Sequence, residues 1–157
     1  MAWYNRGKYI FADPVGAASS TTWAWIGRTT SGNVFVALID DAASAFNADD
    51  NTYSDISGDQ ISGSVPGYTT GGQALGTGTV AEDDANDRAE LDAPDLTWSA
   101  IGGGPEDTFD AIIIYTSDTI ATDPTSDLIA YQSVGATTTN GGDITLQWDA
   151  EGILQIA

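Results

Sequence analysis

Hydrophobic residues in this chain recur in short segments with a two-residue period, separated by clusters of Gly, Asp, Asn and Pro. That period puts alternate side chains on opposite faces of an extended strand, and the intervening residues are the usual turn formers. Thr22–Ile26 (TWAWI) reads as a strand with Trp23 and Trp25 on one face. Asn33–Ile39 (NVFVALI) and Phe109–Tyr115 (FDAIIIY) are apolar at nearly every position. Such runs are expected of central strands covered on both faces. Arg88–Asp92 places Ala89 and Leu91 on one side, and Leu96, Trp98 and Ala100 alternate inward after it. Leu128–Val134 follows, then Ile144, Leu146 and Trp148 with the cleanest alternation, then Ile153–Ile156 after a turn at Glu151-Gly152.

Helical periodicity is weak throughout. The best segment, Asp40–Ala48 (DDAASAFNA), has acidic residues suited to a helix N-terminus and predicts one or two turns. Many short strands with regular turn signals therefore predict an all-β, single-domain β-sandwich or jelly roll. Its expected parts are an N-terminal arm with first strands over residues 1–28 and the sandwich over 29–157. The segment Ser54–Gly78 (SDISGDQISGSVPGYTTGGQALGTG) has few apolar residues and predicts a long Gly/Ser-rich surface excursion. Loops of that length are commonly functional or ordered by a partner.

Length and composition agree with one globular domain. The chain has 157 residues, 41% of them hydrophobic, with five Trp, six Tyr and four Phe, enough for a substantial core. Charge adds a sharper constraint. Twenty-three acidic residues face four basic ones, for a formal net charge of -19. Such a surface repels phosphate backbones and anionic lipid, so neither nucleic acid nor membrane is expected as a partner. Self-repulsion of this size suits a salty setting, and it is equally compatible with an ordinary low-pI surface. Three of the four cations, Arg6, Lys8 and Arg28, lie in the first 28 residues, and only Arg88 follows. The aromatic, mildly basic start is expected to be either a first strand or an arm docking on an acidic patch of a neighbour.

The chain lacks Cys, which removes disulfides and thiolate metal sites, and lacks His, which removes the commonest general base and zinc ligand. The opening residues MAWYNRGKYIFADP carry no continuous apolar stretch of the secretory kind, and the run Ala111–Tyr115 is too short to span a bilayer. Two acidic clusters are the candidate cation sites: Asp49, Asp50 and Asp55 in one, Asp83, Asp84 and Asp87 in the other. Calcium takes six to eight oxygen ligands, but neither cluster has the EF-hand spacing, central Gly or terminal Glu, and a solvated acidic face is the favoured reading. No cofactor is expected. A paired-carboxylate hydrolase would need one carboxyl raised in a cleft, and no sequence motif points to one. Tryptophans can also stack on sugars; Trp98 and Trp148 sit in strand patterns and read as core, whereas one of Trp23 and Trp25 is expected at an interface or ligand platform.

The ordered series YNRGK, NVFVALID, YSDISGDQISGSVPGYTTGGQAL, DAPDLTWSAIG, FDAIIIYTSDT, DLIAYQSVG and NGGDITLQWDAEGILQIA resembles small structural proteins from the virions of tailed bacteriophages, of the head decoration or capsid cement kind. The acidity and the pair Trp23/Trp25 depart from that pattern, and no catalytic or ligand residue carries over. The resemblance implies a structural rather than an enzymatic role: capsomers bridged at the head surface of the phage particle, with the major capsid protein or other virion proteins as partners. It also implies homo-oligomers, a trimer being suited to three-fold positions. The expected partner contacts are Trp3, Tyr4, Arg6, Lys8, Tyr9 and Phe11 in the arm, Trp23 and Trp25, and Tyr68 in the long loop. A tail, neck or head-fibre component, or a carbohydrate- or receptor-binding module, is the alternative.

Overall fold

The two doubly apolar runs pair with each other at the centre of the molecule. A computed structural model describes residues 1–4, 33–40, 46–76, 78–103, 108–117 and 124–156. Strand β2 (Asn33–Ile39) lies antiparallel to β7 (Thr108–Ser117), in register from Asn33 opposite Ser117 to Ile39 opposite Ala111. The main sheet is completed by β1 (Ala2–Trp3), β8 (Leu128–Thr138) and β3 (Gln73–Ala74), in the order β1-β8-β7-β2-β3. Both faces of this sheet are covered. Val34, Val36 and Leu38 of β2 enter one core with Ile112 and Ile114 of β7, while Ala37 and Ile39 enter a second with Ala111, Ile113 and Tyr115.

Beneath the first face lie four short strands: β5 (Arg88–Asp92), β6 (Leu96–Trp98), β9 (Ile144–Leu146) and β10 (Leu154–Ile156). Leu91 opposes Leu154 and Leu96 opposes Leu146. Strands β5 and β10 pair antiparallel in one small sheet and β6 and β9 in another, with residues 93–95 linking β5 to β6 and residues 147–153 linking β9 to β10. Strand β4 (Thr79–Asp83) hairpins onto the far side of β5. The expectation of an all-β architecture holds, with antiparallel sheets in sandwich-like layers; the strand order does not establish a jelly roll.

The second core is smaller and aromatic. Tyr53 stacks on Tyr115 with ring centroids 4.8 Å apart, and Phe46 packs at 5.1 Å from Tyr4 and 5.0 Å from Tyr131. Tyr53 and Ile56 reach this layer from a single helical turn, Tyr53–Ile56, so a helical turn forms there. The segment 41–45 within the anticipated helix Asp40–Ala48, and the whole strand expected at Thr22–Ile26, lie outside the described residues.

A correction concerns Ser54–Gly78. Rather than a surface excursion, it is packed into the body through Ile61, Val65, Tyr68 and Leu75, all buried. These few apolar side chains suffice because the segment's backbone satisfies the open edge of β2. Leu75 N donates to Val34 O at 2.7 Å, Ile61 N to Leu38 O at 3.1 Å, and Asp40 N to Asp59 O at 2.8 Å. An edge strand left bare would expose these groups to pairing with other chains. At Gly72 (φ +74°) the backbone lies against Val36 so closely that a Cβ would overlap its carbonyl. Ala100 departs as well: it is exposed in a turn with φ 51°, and its N–H donates to Asp143 Oδ1 at 2.8 Å, so the inward alternation stops at Trp98.

Candidate functional site

The two acidic clusters are used locally. In the first, Asp55 Oδ2 accepts from Asn51 N at 3.0 Å and Thr52 N at 2.9 Å, capping the helical turn. Those backbone donors, with Thr52 first, hold its carboxyl below the usual carboxylate range. Asp50 accepts from the Asn47 amide at 2.9 Å, yet partial burial, and then the nearby Asp55 charge, raise its carboxyl. Asp49 N donates to Asn47 Oδ1 at 3.1 Å in the same turn.

The second cluster is divided. Asp84 and Asp87 are exposed in the β4–β5 turn, Asp87 with φ 53°, whereas Asp83 points to Arg88. Among the described residues, the carboxylates brought together are Asp83, Glu90 and Glu151, with oxygens within 4.8 Å of one another. The Arg88 guanidinium occupies their midst. Its Nε donates to Asp83 at 2.9 Å, its Nη2 lies 2.8 Å from Glu90 and also pairs with Glu151, and its Nη1 donates to Gln155 Oε1 at 3.1 Å. The Asn86 amide, followed by Arg88, keeps the Asp83 carboxyl low. This clasp ties β4, β5, β10 and the turn before β10 together, a structural task for three acids. Glu90 and Glu151 were not among the sequence candidates. The signal was present in Arg88, the chain's only cation after residue 28.

The expected partner contacts separate into three groups. Tyr4 and Tyr68 are buried, at 1% and 5% exposure, and offer a partner almost no surface. Tyr4 belongs to the aromatic core and its N–H donates to Ile129 O at 3.2 Å. The Tyr68 hydroxyl accepts from Leu38 N at 3.2 Å and from Gln60 Nε2 at 2.8 Å. Both expectations are corrected: each tyrosine holds the fold. Trp3 is half-buried at the sheet edge, where β1 pairs with β8 through Ala2–Tyr131 and Trp3–Ala130. The start of the supposed arm is thus the edge strand of the main sheet. Arg6, Lys8, Tyr9, Phe11, Trp23 and Trp25 lie outside the described residues.

What sequence did not foresee is a cleft at the side of the sandwich, between the β1–β8 edge and the loop 147–153. It has a volume of about 480 Å³ and is lined by Trp3, Gln132, Val134, Gln147, Trp148 and Asp149, among others. Trp148, expected in the core, is only half-buried, and its Nε1 donates to Pro94 O at 3.2 Å. Trp98 is fully buried as expected. Trp3 and Trp148 are brought together across the cleft although 145 positions separate them, and only the fold could do that. Among the described residues, only Ala130 and Tyr131 of the eleven in β8 pair on its adjoining edge, with β1, and Ser133–Ala136 are exposed.

No protein-family model matches this chain, and neither a curated protein nor a solved structure matches it.

Proposed function

We propose that this protein is a structural component of a tailed-phage particle, a head decoration protein that stabilises the shell by bridging capsomers. It acts by binding, without a catalytic step and without a cofactor. The observation that carries the reading is the open outer edge of β8, Gln132–Thr138, to which no described strand pairs. Such an edge carries main-chain donors and acceptors that a segment of a neighbouring virion protein can extend by strand addition. The resemblance of the ordered segments to virion proteins supports the same reading. So does the use of the described acidic clusters in capping and in the Arg88 clasp, which leaves them a structural role.

Association would follow mass action, each filled interface adding to the stability of the shell. A basic or neutral partner segment suits a chain of net charge -19 better than an acidic one. The test is co-sedimentation of the purified protein with undecorated heads, followed by a cryo-EM reconstruction. Density at inter-capsomer or local three-fold positions is expected, and a Val134→Pro variant at the exposed edge should lose occupancy while melting as a folded domain. Density confined to neck, tail or fibres would replace the decoration role with another virion role. Absence from the particle would overturn both.

A further inference from the structure

We propose that the cleft at the side of the sandwich takes the arginine side chain of an extended partner segment, its guanidinium lying against Trp3 and Trp148 and pairing with Asp149. This rests on the reading that a partner docks along the β8 edge, and it names what that partner brings. The first observation is the pair of indoles. Trp3 and Trp148 both line the cleft, each packed against the first core and each half-buried. The Trp148 indole Nε1–H is already given to Pro94 O at 3.2 Å, and its backbone N–H to Asp95 Oδ1 at 3.1 Å. What this ring still offers a ligand is its π face, whose negative potential attracts a cation.

The second observation is which polar atoms of the lining remain. Gln132 gives its Nε2 to Ser133 O at 2.7 Å, Ser133 its hydroxyl to Asp110 O at 3.3 Å, and Gln155 its Nε2 to Glu151 O at 3.1 Å. Side-chain donors are thus largely used within the protein. Acceptors are left over. Asp149 uses Oδ1 for Glu151 N at 2.9 Å, and no described cation pairs with its carboxylate. The amide oxygens of Gln132 and Gln147 accept from no described donor. A ligand made only of donors matches such a lining, and arginine carries five N–H donors and no acceptor.

The third observation is charge and access. Asp95 and Asp149 are exposed next to Trp148, on a chain of net charge -19, so a cation is drawn to this ring. A planar guanidinium stacks on an indole and is weakly hydrated, whereas the lysine ammonium is a compact, strongly hydrated charge. The cleft, of about 480 Å³, is walled by Gln132, Ser133 and Val134 of β8. A segment added along that edge turns alternate side chains towards it.

The test is a titration of the full chain with a short peptide whose sole charged residue is a central arginine, and with its lysine and citrulline counterparts. The indole N–H cross-peaks of Trp3 and Trp148, assigned by NMR of Trp3→Phe and Trp148→Phe, should move with the arginine peptide. The lysine peptide should bind more weakly, and the uncharged citrulline peptide about five- to thirtyfold more weakly. Asp149 is exposed, and an asparagine oxygen can accept its one backbone bond, so Asp149→Asn should keep the parent's melting temperature. That variant should weaken the arginine peptide about two- to fivefold. Indole peaks unmoved at millimolar arginine peptide would overturn the proposal. So would equal affinity for the lysine peptide, which general attraction to an acidic chain predicts. Co-sedimentation with heads judges the decoration role separately. Heads bound by a protein that ignores the arginine peptide would overturn the cleft proposal alone, and arginine binding without head binding would remove the decoration role alone.

Discussion

Replacing Tyr68 with Phe removes a single oxygen, and the structure specifies what that oxygen holds. Tyr68 rises from the Gly/Ser-rich segment into the first core at 5% exposure, and its hydroxyl accepts from Leu38 N at 3.2 Å and Gln60 Nε2 at 2.8 Å. Leu38 lies on the central strand β2 and is itself buried, so its N–H would have no water to turn to. Leaving such a donor unpaired costs about 1–3 kcal/mol. Gln60 is half-buried and can recover part of its loss from solvent, adding about 0.5–1 kcal/mol. Packing is conserved, because the ring remains. The expected destabilisation is therefore about 1.5–4 kcal/mol, which for a domain of this length lowers Tm by roughly 3–16 °C. Differential scanning calorimetry measures it, and urea unfolding should give the same loss with an unchanged m-value. Amide exchange at Leu38 should quicken alongside. A Tm within 1 °C of the parent, with Leu38 exchange unchanged, would show that the hydroxyl is not what holds this segment to β2.

Three further outcomes are expected. Burial pushes the phenols of Tyr68 and Tyr115 well above their ordinary value near 10. Since their folded-state values are raised, their stabilisation is complete below pH ~10 and is lost as pH rises further, by about 1.4 kcal/mol per pH unit for each tyrosine. Urea midpoints between pH 8 and 11.5 should show that fall, shallower in Tyr68→Phe; a flat profile would contradict it. At Gly72, an alanine needs a strained φ of +74° and drives its Cβ into the Val36 carbonyl, so Gly72→Ala should cost at least about 2 kcal/mol, read by urea unfolding. Arg88→Gln leaves Asp83, Glu90 and Glu151 repelling one another, so the variant should melt earlier than the parent at low salt and approach it as NaCl screens the carboxylates. A loss that does not depend on salt would mean that packing of the Arg88 stem, not charge, is what matters.

The sequence by itself determined the strands whose apolar pattern is strong. Asn33–Ile39 and Phe109–Tyr115 were bound to become interior strands, because a segment apolar on both faces has no solvated side to present. Arg88–Asp92 followed from its alternation and its flanking turns with its observed bounds. The sequence also determined the chemistry that is ruled out by residue type, since a chain without Cys or His cannot build thiolate or imidazole sites. Only the tertiary structure decided the fate of Ser54–Gly78. Its local pattern is that of a loop, and what orders it is an unmet need elsewhere, the open edge of β2 and the Leu38 N–H that Tyr68 satisfies. The same holds for Tyr4, whose arm-like surroundings conceal a place in the aromatic core. Trp3 and Trp148 are coupled only by the closure of the chain on itself, and Arg88 reaches Glu151 across 63 positions. Local pattern reports which face of a segment shuns water. Which segments meet, and so where a cleft opens, depends on pairing and packing between positions far apart in the chain, and no short stretch of sequence contains them.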